Sequence, residues 1–124
     1  MKIKELKDDE IIFDNGYTLE YYHSQNCCEE VYADFSTLKQ YNVSTVTGKT
    51  INIKDIDFNE DLASLIKGIA GAGFNMVSKI GENFFVPCYN IQNGYYNDQL
   101  ELRLIKGEIV EHYNISDFVK EQIY

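Results

Sequence analysis

Turn residues recur along this chain at short intervals, most of them between two short runs of alternating apolar residues. They are Asp14-Asn15-Gly16, Gly48-Lys49, Gly81-Glu82-Asn83, Asn93-Gly94 and Lys106-Gly107. Asn-Gly and related pairs supply the positive φ angles that tight hairpin turns demand. A chain punctuated in this way is expected to fold as successive antiparallel hairpins. It has no repeated strand-helix-strand unit, so a parallel sheet is disfavoured.

The first hairpin runs in along Glu10–Phe13 and returns along Tyr17–His23, with Tyr17, Leu19, Tyr21 and His23 on one face. A further strand is expected from Cys28 to Phe35, with Val31, Ala33 and Phe35 facing opposite to Glu30, Tyr32 and Asp34. Ser36 is placed to cap one helical turn over Ser36–Gln40. Val43–Val46 and Thr50–Ile53 form the second hairpin. Gly48-Lys49-Thr50 is not a phosphate-binding loop, because Val43 stands where that motif needs glycine and a strand follows in place of a helix. Phe74–Ile80 and Phe84–Ile91 make the third pair; Pro87, which cannot donate to a ladder, marks an edge or a bulge there. Gln99–Ile105 and Ile109–Tyr113 make the last, with Leu100, Leu102 and Leu104 on the buried face.

Two helices complete the reading. Asp57-Phe58-Asn59-Glu60 has the spacing of a capping box. Leu62, Leu65, Ile66 and Ile69 follow at helical intervals, which predicts a helix over about 58–71 that ends in Gly71-Ala72-Gly73. Ser116 predicts a short C-terminal helix over about 116–123, with Phe118, Val119, Gln122 and Ile123 as its apolar side. The fold class is therefore α+β, a mostly antiparallel sheet with a middle and a terminal helix. The 124 residues make one acidic domain, 1–124, large enough to bury a core without metal or disulfide.

The net charge of −9 is uneven. Between Asp8 and Asp34 there are eight acidic residues and no Lys or Arg, which leaves −1 for everything else. Such a field repels nucleic acid and anionic lipid and attracts basic protein surfaces. No run approaches the ~20 apolar residues of a membrane helix. The N-terminal residues lack the apolar core of a secretory signal. Cys27, Cys28 and Cys88 form an odd set with two neighbours, which suits a reducing compartment. A cytoplasmic protein is expected.

Tyr22-His23-Ser24-Gln25-Asn26-Cys27-Cys28-Glu29-Glu30-Val31-Tyr32 and, later, Ile91-Gln92-Asn93-Gly94-Tyr95-Tyr96-Asn97 carry a resemblance. Together they resemble a small domain family of unknown function found in phages and mobile elements of bacteria. Its members carry Tyr-His-(Ser or Tyr)-x-x-Cys-Cys-Glu-x-Val after an Asn-Gly or Asp-Gly hairpin. The resemblance covers about a quarter of the chain, and Ala33–Thr47 departs from the family's acidic, glycine-bearing stretch. It implies a phage origin and the cytoplasm of a bacterial host, with no activity attached.

Catalytic signatures are missing: the sequence holds no Gly-x-Ser-x-Gly, no His-Glu-x-x-His and no calcium-binding loop. A thiol nucleophile at Cys27 or Cys28 would sit beside Glu29 and Glu30, which oppose thiolate formation. No enzyme and no cofactor are expected. The expected function is a protein that binds and inhibits a host or defence protein with a basic surface, such as a nucleic-acid-handling enzyme or a component of CRISPR immunity, by DNA mimicry or otherwise. Its contact residues are Asp8, Asp9, Glu10, Glu20, Glu29, Glu30, Asp34, Tyr22, Tyr95 and Tyr96, with tyrosines as anchors. One alternative is a metal or thiol site built on His23, Cys27, Cys28 and Cys88. Another is a homo-oligomer joined through the edge strand near Pro87.

Overall fold

Gly16, at φ +90°, closes the first hairpin where Asn15-Gly16 predicts it, with the Phe13 N–H donating to the Tyr17 carbonyl at 2.8 Å. The computed structural model describes residues 1–23, 30–42, 52–92 and 99–123. The hairpin joins β2 (Glu10–Phe13) to β3 (Thr18–Tyr22), and β1 (Ile3–Leu6) lies against β2. The final hairpin, β8 (Glu101–Lys106) and β9 (Glu108–Asn114), turns at Gly107 and completes a five-stranded antiparallel sheet in the order β1-β2-β3-β8-β9. Alternation holds on β2, β3 and β8, where Ile11, Phe13, Leu19, Leu102 and Leu104 are all buried on the inner face, while β9 is exposed along most of its length.

The second sheet is organised around β7 (Asn83–Gln92). Its first half pairs with β6 (Gly73–Val77), which in turn pairs with β5 (Ile66–Ile69). Its second half pairs antiparallel with β4 (Glu30–Ala33) and parallel with β10 (Lys120–Ile123). β4 and β10 share the partners Tyr89–Ile91, so they lie on opposite flanks of β7. Between the sheets runs a single core in which Phe58 stands edge-on to both Phe13 of β2 and Phe84 of β7, at 6.3 and 5.6 Å. Phe35 plays the same part between Tyr21 of β3 and Phe74 of β6, at 6.1 and 6.4 Å. Such ring pairs add about 0.5–1.5 kcal/mol each beyond area burial.

The fold is thus a pair of mainly antiparallel sheets, as the hairpin spacing predicts, with far less helix than expected. The helix expected over 58–71 is one turn, α1 (Leu62–Leu65), and its cap is Asp61, whose Oδ2 accepts from the Ser64 N–H at 3.1 Å. Asp57 is engaged elsewhere, its Oδ1 accepting from the Met1 amino group at 2.8 Å, and this contact lowers its pKa. After Leu65 the buried helical stripe fails, since Ile66 is half-buried and Ile69 is 39% exposed. Ile66–Ile69 pairs instead with β6, and Gly68 receives the Phe118 ring so closely that a Cβ there would lie 2.2 Å from it.

The C-terminal helix expected over 116–123 is also absent. A 3-10 turn at Ser116–Phe118 leads into β10, the one parallel pairing among the described residues. Ser116 does not cap it; its hydroxyl accepts from the Leu100 N–H at 3.0 Å, while Asn114 Oδ1 accepts from the Ser116 N–H at 2.9 Å. Ser36 likewise yields its expected role to Asp34, whose Oδ1 accepts from both the N–H and the hydroxyl of Ser36 at the start of a 3-10 segment, Phe35–Asn42. The expected hairpin over 43–53 lies outside the described residues except for its end, where Ile53 opens a 3-10 turn and not a strand.

Pro87 sits inside the sheet, at the point where β7 changes partners, so the expected self-pairing edge is not there. Its carbonyl accepts from the Asp34 N–H at 2.9 Å, one residue beyond the end of β4. In an antiparallel ladder a residue's N–H and C=O face the same flank. The missing N–H of Pro87 therefore falls where β4 has given way to the 3-10 segment. Gly73 pairs with Pro87, and a Cβ there would lie 2.1 Å from the Val86 carbonyl oxygen.

Two substitutions test this packing. Gly68→Ala is expected to cost about 1–3 kcal/mol by displacing the Phe118 ring, and much less in a Phe118→Ala background. Denaturant titration of the four proteins in the cycle measures the coupling, and additive costs would show that the ring does not cover Gly68. The second concerns Asn90, which is 1% exposed in β7 and whose side-chain atoms have no partner among the described residues. Asn90→Leu removes an unpaired amide and should raise stability by about 1–2 kcal/mol; a lower melting temperature would show that the amide is satisfied in solution.

Candidate binding surface

The register of the first sheet decides what its outer face carries. Glu10 lies opposite Glu20, Glu20 opposite Arg103, and Arg103 opposite His112, so the four side chains form one row across β2, β3, β8 and β9. Tyr22 lies opposite Glu101 in the next row. Two facing glutamates repel. Here Lys7 Nζ is 3.1 Å from Glu10 Oε1, and Arg103 is the other neighbour of Glu20.

Arg103 organises the second row. Its guanidinium lies 3.8 Å from the centroid of the Tyr22 ring, and its Nη2 and Nε donate to Glu101 Oε2 at 3.2 and 3.3 Å. The other oxygen of Glu101 is 2.9 Å from His112 Nδ1. His23, just past β3, donates from Nδ1 to the Gln99 carbonyl. A cleft of about 340 Å³ opens among Tyr22, His23, Glu101, His112 and Asn114.

A second assembly forms where β3 passes β4. Tyr32 and Tyr89 face each other across the β4–β7 pair with ring centroids 5.4 Å apart. Burial, with the charges of Asp9 and Asp34, raises the pKa of Tyr21. Burial, with Asp34 and Glu30, does the same for Tyr32. Carboxylates from the β1–β2 turn, from β4 and from the residue after it therefore act on two tyrosines of different sheets. A cavity of about 430 Å³ lies between them, lined by Tyr21, His23, Glu30, Val31 and Tyr32.

The expected contact residues thus divide between two places. Glu10, Glu20 and Tyr22 share the outer face of the first sheet; Glu30 lines the β3–β4 cavity, and Asp9 and Asp34 are near enough to raise the pKa of Tyr21. Asp8 is paired to Lys39 at 2.9 Å. Glu29, Tyr95, Tyr96, Cys27 and Cys28 lie outside the described residues. The sequence reading passed over Tyr21, Tyr32 and Tyr89 as contact residues, and Arg103, Glu101 and His112 altogether. Strand alternation put each on a definite face, but only the pairing of distant strands makes them neighbours.

Cys88 is buried opposite Ala33, and desolvation pushes its thiol up to about 12. A thiolate ligand or nucleophile needs the reverse shift. Among the described residues no group of three or more His, Cys, Asp or Glu is placed to hold a metal ion. A Cys27→Ser/Cys28→Ser protein should be inert to a thiol reagent at pH 8 when native and should react once unfolded. Rapid labelling of the native protein would place Cys88 within reach of solvent. Comparison with known proteins brings no match, whether to a family model, to a curated protein or to a solved structure.

Proposed function

We propose that this chain is a non-enzymatic binding protein that engages the basic surface of another protein and inhibits it by occupying that surface. The partner class is a host or defence protein that handles nucleic acid, and the setting is the cytoplasm of a bacterium carrying a phage or mobile element. One observation supports this above the others: the β3–β4 cavity sets the rings of Tyr21 and Tyr32 beside the Glu30 carboxylate, with Asp9 and Asp34 adding negative charge nearby. Tyrosine supplies contact area at small entropic cost, and a desolvated ring beside carboxylates suits lysine and arginine. The charge of −9 adds long-range attraction for a basic partner and repulsion for nucleic acid. Among the described residues no helix is long and apolar enough to cross a membrane.

The test is capture from bacterial lysate on the tagged protein, with a Glu29→Lys/Glu30→Lys variant run in parallel. Parent protein should retain a basic protein at low salt and release it at moderate salt, and the variant should bind it about tenfold more weakly or worse. Adding the parent should suppress the captured protein's activity. Equal capture by the two proteins would sink the assignment of the surface, and capture without inhibition would sink the inhibitor role.

A further inference from the structure

Among the described residues the two sheets end in four strands, β1 and β9 in the first and β5 and β10 in the second. Open edges invite further strands, and proteins commonly guard them with lysine. Lys4 stands in β1, Lys67 in β5 and Lys120 in β10. β9 reads Glu108-Ile109-Val110-Glu111-His112-Tyr113-Asn114 and has none. Every residue in it is exposed except Glu111, which is half-buried. Six large apolar side chains are exposed among the described residues, and three of them, Ile109, Val110 and Tyr113, belong to this one strand.

The main chain of β9 is open on its outer flank. The Ile115 N–H donates to the Leu100 carbonyl at 2.8 Å, in register with the β8–β9 ladder. Bonded and non-bonded pairs alternate along an antiparallel ladder. Leu102 with Tyr113 and Leu104 with Glu111 are therefore the bonded pairs, and the N–H and C=O of His112 and Asn114 point away from β8. Among the described residues no main-chain group meets them there. The ladder slips at Val110, so the regular part of this edge is residues 111–114. α1 lies on the core side of it, where Glu111, opposite the buried Leu104, accepts from the Leu62 N–H at 3.2 Å.

Charge decides what fits this edge. The segment from Asp8 to Asp34 carries −8 of the chain's −9. Its strands in the first sheet, β2 and β3, are separated from the open flank by β8 and β9. When two copies meet through β9, their β3 strands stand five strand spacings apart, about 24 Å. The screening length at physiological salt is ~8 Å, so little repulsion between the acidic segments reaches across. At β1, the other end of the same sheet, β2 is the immediate neighbour and the acidic segments would be brought together.

We propose that β9 is a self-association edge: β9 of one copy pairs antiparallel with β9 of a second copy through the outward main chain of His112 and Asn114, and this contact covers Ile109, Val110 and Tyr113. The same strand is used from both sides about a two-fold axis, so the assembly closes at two copies. Two five-stranded sheets join into one of ten. The acidic segments lie towards its two far ends, so the dimer presents the surface of the proposed function twice.

Sedimentation equilibrium of the whole chain over a roughly hundredfold range of concentration is the first measurement. The average mass should rise from that of one chain towards that of two, and added salt should strengthen the association by screening the repulsion that remains. Hydrogen exchange at the two ends of that range identifies the face. The amides of His112 and Asn114 should slow about threefold or more at high concentration, and those of Glu111 and Tyr113, already bonded to β8, should slow less. Val110→Lys gives β9 the lysine that the other three edges carry. It should weaken association about tenfold or more while near-ultraviolet circular dichroism shows an intact fold, and Ile109→Lys repeats the test at a second exposed position. A single mass at every concentration overturns the proposal. So does association that leaves the His112 and Asn114 amides unchanged, or that neither folded lysine variant weakens. The capture test with Glu29→Lys/Glu30→Lys reads a different surface, so the two proposals fail separately.

Discussion

Pro87 divides β7, and the second sheet is arranged around that division. A ten-residue strand with a full set of donors could pair along its whole length on both flanks. With no N–H at Pro87, the flank facing Asp34 loses one rung, and β4 ends there. The chain turns at Asp34 into a 3-10 segment that places Phe35 and Leu38 in the core. On the other flank β6 serves the first half of β7 and β10 the second. Gly73, with no side chain, lets β6 approach the Val86-Pro87 peptide.

That arrangement also produces the candidate surface. Because β4 pairs with β7 along one side, its other side is turned towards β3 of the first sheet. Phe35, which follows β4, packs on Tyr21 of β3 and Phe74 of β6, and this holds the two sheets at the separation that leaves the cavity. The outer face of the first sheet is a different kind of surface. There Arg103, Glu101, His112 and Tyr22 satisfy one another, so that face offers a partner fewer unused groups.

Alternation and turn chemistry carried a long way at the ends of the chain. Ile11, Phe13, Leu19, Leu102 and Leu104 are buried as their period of two requires, and Gly16 and Gly107 take positive φ. The middle was less legible. Leu62, Leu65, Ile66 and Ile69 match a helix and equally fit one helical turn followed by a strand. The decision falls to contacts with β6 and Phe118, which a local window does not contain. The C-terminal residues fail for the same reason, since a parallel partner 31 residues away outweighs a weak local helix signal. Ser36 and Ser116 are plausible caps by residue type, but Asp34 and Asn114 precede them by two residues and take the N–H groups first.

By itself the sequence determined the hairpins that turn at Gly16, Gly81 and Gly107, the inward faces of β2, β3 and β8, the acidic character of the first third and the lack of catalytic motifs. These follow from local sterics and from counting, and need no knowledge of partners. Which strands become neighbours was decided by tertiary structure alone. The acidic stretch from Asp8 to Asp34 reads as one block, yet β-pairing sends Glu10 and Glu20 to the outer face of the first sheet and Glu30 to the cavity beside Tyr21 and Tyr32. Side chains at a sheet surface interact through register between distant segments. That register is set by the shared core and by the rung missing at Pro87, so no local pattern could announce the cavity between β3 and β4.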